Sequence, residues 1–408
     1  MRLLFLSITV PVPATDGGRL RVLNLLKQTA QRNRVTFLAL ETQPTDKEGI
    51  EYLRSLGIEA HLVSHTSRLP PTTFRSVSQA VFARKPVTVA RYDVPAFRKA
   101  FHSLLDTSSY DLIHYEMFHT GQYYLETNAR SLLSLQNVDS HIWRRLREQT
   151  SNPLRRGLFR TQECAFRRFE RTMCNRFNLV ACASGVDRDL MDEICSELNS
   201  DVIPNGVDTT LYQPDHEVEE EATLIYTGSM DWFPNEDAAI YFIDDILPTI
   251  QEKRPNLKFY VVGQFPSERL KRYGNRPGVI ITGRVDDVKP YIARATVYVV
   301  PLRIGGGTRL KILEALAMGK AVVSTSVGAE GLNLSAGDEI MIADESARFA
   351  DGVLQLMENG GMRRELGDCG RQRVEAEYDW RQIGEKLQEL YEAVVAGDSG
   401  TAGKMHNS

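Results

Sequence analysis

The chain has 408 residues, is 42% hydrophobic and 25% charged, and carries a formal net charge of −4. The length suits two domains of ordinary size rather than one, and the composition is that of a globular protein in water. The charge balance gives no global case for nucleic acid as a partner.

Five cysteines (Cys164, Cys174, Cys182, Cys195 and Cys369) are an odd number without CxxC spacing. That argues against a disulfide framework or a zinc site and fits a reducing compartment. Met1–Val10 is apolar but too short to span a bilayer. It reads as a first strand, and a cytoplasmic location is expected.

In chain order, Arg2–Ile8 is strand-like, and Pro11, Pro13 and Gly17-Gly18 make a loop. Leu20–Gln31 has helical apolar spacing, and Val35–Leu40 is a second strand. A β-loop-α-β opening belongs to a doubly wound sheet, which binds ligands at the carboxyl edge of its strands, where Gly17 and Gly18 turn. Arg19 and Arg21 could meet phosphate or an acidic acceptor, but as single arginines they read as ordinary surface charges. Ile50–Leu56 is helical and Glu59–Val63 a strand, while proline and arginine punctuate residues 65–110. Asp111–Glu116 is a strand ending in polar groups. Ser131–Leu135 is another strand, followed by Gln136.

His141–Phe177 is the most basic stretch, with ten arginines against three glutamates and aromatic residues interleaved. Either it meets an anionic membrane surface, making the protein peripheral, or it is a connecting helix with a solvated basic face. Leu179–Ala183 is a strand. Val202–Tyr212 (VIPNGVDTTLY) closes the first domain, and Asp215–Ala222 is an acidic connector.

The pattern then restarts. Leu224–Thr227 is a strand, Gly228-Ser229 a turn, Asn235–Ile250 a helix, and Leu257–Val262 and Val279–Thr282 are strands. Gly283-Arg284-Val285 ends the last of these, and Asp286–Arg294 is a short helix. Val297–Pro301 is a buried strand, Gly305-Gly306-Gly307 a bare turn, Thr308 the expected N-cap, and Arg309–Met318 an amphipathic helix stopped by Gly319. Such a helix start offers N–H groups and partial positive charge to a phosphate. Arg309 and Lys311 add full charges, and Glu314 can accept hydrogen bonds from ribose hydroxyls. Ala321–Ser324 and Asp338–Ala343 read as strands; Ser346–Met357, Met362–Ala376 and Arg381–Val395 read as helices.

The run GGGTRLKILEALAMGKAVVSTSVGAEGL resembles the donor-binding segment of glycosyltransferase family 4, and PNGVD at Pro204–Asp208 and GGRLR at Gly17–Arg21 agree with it. The resemblance implies an α/β chain of the GT-B fold: two facing Rossmann-like domains, a cleft between them and a C-terminal helix that crosses back. It divides the chain into an acceptor-binding domain, 1–204 with helix 381–396, and a donor-binding domain, 205–380. Residues 397–408 are then a disordered tail.

The implied activity is retaining transfer of a hexose-type sugar from a UDP- or GDP-sugar to a hydroxyl acceptor. That acceptor is a glycan, a lipid-linked molecule or a small molecule, in the biosynthesis of a polysaccharide, glycolipid or other envelope glycan. Donor contacts carry over to Gly17, Gly18, Gly228, Ser229, Gly283, Val285, Gly305, Gly306, Gly307, Thr308, Arg309, Lys311 and Glu314. Catalytic roles carry over to Arg309, Lys311, Gln136 and His119, and because the family's strand at Asp111–Glu116 carries residues towards the cleft, the resemblance makes His114, Glu116 and His119 candidates there.

Three departures matter. Gln136 stands where many members have a histidine that contacts the transferred sugar, and His141 is the nearby substitute. Ser229 and Pro234 or Asn235 stand where an arginine and a lysine reach the diphosphate. Gly306 replaces the first glutamate of an E-x7-E pair that ends at Glu314. Arg309 and Lys311 can restore the missing charge. No DxD-like pair lies beside the donor loop, so neither metal nor cofactor is expected. The alternatives are a GT-B sugar-nucleotide epimerase and a non-catalytic sugar-binding protein.

Overall fold

The computed structural model describes residues 1–64, 85–215 and 218–397. The expectation of a disordered tail, from residue 398 on, and part of the 65–110 reading lie outside the described residues. The chain divides into unit 1 (Met1–Pro204 with Ile383–Ser408) and unit 2 (Asn205–Gln382).

Unit 1 is built on seven parallel strands: β1 (Arg2–Ser7), β2 (Arg34–Leu40), β3 (Glu59–Val63), β4 (Leu112–Glu116), β5 (Arg130–Ser134), β6 (Leu179–Cys182) and β7 (Ser200–Val202). Their order is β3-β2-β1-β4-β5-β6-β7. The central strands β1 (RLLFLS) and β2 (RVTFLAL) are mostly apolar because helices cover both faces of a parallel sheet. Side-chain alternation sends Leu4, Leu6, Leu38 and Leu40 to one core and Phe5, Val35, Phe37 and Ala39 to the other.

Unit 2 repeats the plan with six parallel strands: β8 (Thr223–Thr227), β9 (Lys258–Val262), β10 (Val279–Gly283), β11 (Val297–Val300), β12 (Val322–Ser324) and β13 (Met341–Ile342). Their order is β10-β9-β8-β11-β12-β13. In each sheet the winding reverses beside the first strand, between β1 and β4 and between β8 and β11. Loops leaving the carboxyl ends of those strands diverge there and leave room for a ligand.

Several sequence-derived boundaries need correction. Gly17 and Gly18 are not in a loop; they open helix Gly17–Arg32, whose N-cap Asp16 accepts from the Arg19 N–H. The expected Asn235–Ile250 helix is three pieces: α-helix Phe233–Tyr241, a π-turn Phe242–Ile246 and α-helix Leu247–Lys253. Pro248 has no N–H to continue the ladder, which accounts for the break. The expected Arg309–Met318 helix is Leu310–Ala317 with Arg309 as its cap residue. The last strand is only Met341–Ile342. Helix Trp380–Ala396 carries the chain from unit 2 back into unit 1.

Candidate active site

At the switch point of unit 2, β11 leads through Pro301 and the glycine turn into helix Leu310–Ala317. Gly307 has φ +73°, a conformation that glycine adopts without strain. Thr308 is not the N-cap. Its hydroxyl accepts from Asn205 Nδ2 at 2.5 Å, and no side chain caps the first turn of the helix. Arg309 folds back and donates to the Gly306 carbonyl. A Cβ on Gly305 would lie 2.1 Å from the Arg309 guanidinium, so a side chain there would push the guanidinium from this position.

Lys311 reaches across to the loop that follows β8. Its Nζ donates to Asn235 Oδ1 at 2.9 Å and to Tyr226 Oη at 3.1 Å, and it lies 4.3 Å from the centre of the Tyr226 ring. A Cβ on Gly228 would sit 2.7 Å from the same nitrogen. Asn235 Nδ2 donates to the Ser229 carbonyl at 2.9 Å, which fixes the amide with its oxygen toward the lysine. Burial, and then the Arg309 charge, push the Lys311 amine down to about 7, against the pull of Glu314.

The Glu314 carboxylate accepts from Tyr212 Oη at 3.2 Å. Burial raises its affinity for a proton, while Tyr212 and Lys311 oppose the shift. Gly283 (φ +70°) ends β10, and its carbonyl accepts from the Gly263 N–H at 3.2 Å; Val285, two residues on, packs on the core. The structure thus joins Gly228, Ser229 and Lys311 through Asn235. Trp232 and Phe265 stand exposed beside it, as does Phe233 at the start of its helix.

The switch point of unit 1 holds a buried polar chain. Arg21 is not on the surface. It is 1% exposed and donates to the carbonyls of Ile203 at 2.7 Å and Pro204 at 2.8 Å. Its Nε stands 3.8 Å from Glu116 Oε1. Glu116 Oε2 is 2.9 Å from His114 Nε2, and His114 Nδ1 is 2.7 Å from Tyr391 Oη. Burial pushes the His114 imidazole down, outweighing the pull of Glu116. Burial alone would raise Glu116, but His114, Arg21 and Gln136 together hold it below the ordinary value. A carboxylate only accepts. His114 therefore carries its proton on Nε2, and Tyr391 donates to Nδ1.

The same rule orients Gln136. Its Nε2 donates to Glu116 Oε1 at 3.0 Å, so its carbonyl oxygen must face the other way. That oxygen lies 2.9 Å from where a Gly18 Cβ would be. Gly17 precedes Gly18 in the same first helical turn. His119 stands apart from this chain: it packs edge-on against Tyr92, and burial pushes it down to about 4. His141 lines a small cavity with Arg144, Arg167, Leu190 and Glu193. Among the described residues, no three His, Cys, Asp or Glu side chains gather as metal ligands.

The sequence reading missed Tyr212, Tyr226 and Tyr391 and misjudged Arg21. Arg21 shares a helix face with the apolar Leu25, which was a usable signal. The tyrosines gave none.

Comparison with known proteins gives two family matches. The model described as Glycosyltransferase Family 4 covers residues 15–211, and the one described as Glycosyl transferases group 1 covers 221–359. The chain spans about half the length of curated relatives it matches. The phosphatidyl-myo-inositol mannosyltransferase of Mycobacterium tuberculosis (strain CDC 1551 / Oshkosh) is 28% identical over 47% of this chain and 54% of that protein. Among solved structures, sucrose-phosphate synthase from Thermosynechococcus elongatus aligns with a TM-score of 0.73 at 16% identity, covering 98% of this chain and 100% of that one. Anabaena Alr3699/HepE in complex with UDP and glucose aligns at 0.66 and 17% identity, covering 96% and 100%. Two parallel α/β units, a GT-B architecture and family matches over both units lead to one assignment: the chain belongs to glycosyltransferase family 4.

Proposed function

We propose that the chain is a retaining, metal-independent glycosyltransferase that moves a hexosyl group from a UDP- or GDP-sugar to the hydroxyl of a lipid-linked acceptor. The observation that carries this reading is the lysine amine set against Gly228, beside an uncapped helix start. A diphosphate leaving group gains negative charge as the sugar departs, and a preorganised cation with free N–H groups stabilises that charge most. Lys311 takes the place of the arginine and lysine that Ser229 and Asn235 displaced. Arg309 and the amides of Gly305, Gly306, Gly307 and Thr308 serve the same phosphates. Glu314, held by Tyr212, accepts from the ribose. Gly283 and Val285 meet the base through their backbone.

In this reading the anomeric C–O bond to the diphosphate breaks and the acceptor oxygen bonds to the same face of that carbon. The acceptor proton passes to the departing phosphate oxygen. The Gln136 carbonyl oxygen accepts from a hydroxyl of the transferred sugar, and Glu116 holds the amide in that sense. The lipid-linked acceptor is suggested by the mycobacterial relative's name and the UDP donor by the Anabaena complex.

Product analysis tests the proposal. The chain is incubated with UDP-glucose or GDP-mannose and a lipid extract, with a chelator present. Free nucleoside diphosphate with a new glycoside of unchanged anomeric configuration is the expected result. An altered nucleotide sugar as sole product would make the protein an epimerase instead, and loss of turnover with chelator would overturn metal independence.

A further inference from the structure

We propose that the tip of the helical hairpin Asp139–Gln149 and Pro153–Cys174 in unit 1 docks on an anionic lipid bilayer. The proposal is independent of the transfer chemistry. The base of the hairpin is spoken for. Phe166, Phe169, Met173 and Cys174 are buried, Trp143 packs on Phe159 and Phe166, and Arg144 and Arg147 both bind Glu163 at 3.3 and 2.7 Å. These residues answer much of the basic and aromatic signal of the stretch by packing and pairing.

The tip is different. Every residue from 151 to 158 is exposed. Leu154 is 84% and Leu158 57% exposed, four residues apart on one helix face. Arg155, Arg156 and Arg160 are beside them and make no ion pair among the described residues. No acidic residue occurs between Gln149 and Gln162, in a chain whose net charge is −4.

A single exposed leucine needs no explanation. Two on one face, flanked by three arginines with no acidic residue among them, have the composition of a segment that seats apolar side chains at the acyl boundary and arginines among anionic headgroups. No helix of the described residues is long and apolar enough to cross a membrane, so the contact is interfacial. An acidic protein would complement the arginines but has no need of the leucines.

Flotation of the full chain with vesicles of phosphatidylcholine, with and without about one-third phosphatidylglycerol, tests this. The wild type is expected to float with the anionic vesicles only, and to be released as salt rises from about 0.1 to 0.5 M. Arg155→Glu/Arg156→Glu/Arg160→Glu should lower partitioning roughly 100-fold or more, since each basic residue contributes about 1 kcal/mol at such a surface. Leu154→Ser/Leu158→Ser should lower it roughly tenfold. Both variants should keep the wild-type melting temperature and the wild-type turnover of nucleotide sugar on a water-soluble acceptor. That keeps a failure here distinct from a failure of the transferase reading.

A wild type that stays with the soluble fraction, a charge-reversed variant that floats unchanged, or equal binding to neutral vesicles would overturn the proposal. Capture by soluble polyglutamate but not by vesicles would also overturn it, and would assign the surface to an acidic protein.

Discussion

Lys311 is held between Tyr226, Asn235 and Gly228, and its amine sits near 7 instead of 10.5, chiefly because of burial. The sign of the consequences follows from where the proton is bound. Between 7 and 10.5 the unfolded chain holds a proton that the folded chain has released, so this residue makes unit 2 more stable as pH rises through that window. Diphosphate binding runs the other way. Above 7 the resting amine is neutral, and a bound anion must draw a proton onto it. Calorimetric titration with UDP or GDP should therefore show affinity falling by up to about tenfold per pH unit above 7, and Lys311→Met should flatten that slope. An unchanged slope in the variant would remove Lys311 from the phosphate site. Lys311 and Gly228 were both singled out in the sequence, yet nothing there shows that they meet, since the hydrogen-bond partners of Lys311, Asn235 and Tyr226, are 76 and 85 positions away. Arg21 was misjudged for the same reason. The carbonyls that bury it are 182 and 183 residues distant, and a lone arginine gives no local sign of them.

Helix Trp380–Ala396 packs on helix Gly17–Arg32 through one bare position. A Cβ on Gly384 would lie 2.6 Å from the Gln28 Cβ. Around that contact Asn33 donates to Gln388 at 2.6 Å, Arg32 pairs with Glu385 at 3.3 Å, and Tyr391 reaches His114 at 2.7 Å. Gly384→Val should cost unit 1 about 1–3 kcal/mol in urea unfolding, as overpacking does. Glu385→Ala, which removes only an exposed pair, should cost less than about 1 kcal/mol. Equal effects would mean that charge, not close approach, seats the helix. The strands were legible because a parallel strand covered on both faces is mostly apolar, as β1 (RLLFLS) and β11 (VYVV) are. Helix starts were less so. Gly17 and Gly18 look like loop residues but follow an Asp16 cap, and Thr308 looks like a cap but binds Asn205. Capping residues mark where a helix can start, and tertiary partners decide where it does.

At the scale of the whole molecule, one topology is used twice. Counted from its own first strand, unit 2 runs 3-2-1-4-5-6 and unit 1 runs 3-2-1-4-5-6-7. This repetition was legible because each half opens with the same strand-glycine-helix pattern. The contents of the two switch points differ. Unit 1 holds a buried imidazole and carboxylate that fix the Gln136 amide, whose oxygen is left to accept from a hydroxyl. Unit 2 holds Arg309, Lys311 and an uncapped helix start, suited to phosphate. A nucleoside diphosphate should therefore stabilise the chain through unit 2. At 100 times its dissociation constant a ligand adds about 2.7 kcal/mol. For a domain of this size that raises the melting temperature by roughly 5–10 °C. Scanning calorimetry of the full chain with UDP, GDP and ADP should show a shift of that order for one base and little for the others. Lys311→Met combined with Glu314→Gln should abolish it. If the doubly substituted chain still shifted like the wild type, the nucleotide would have to bind away from the β8–β11 switch point.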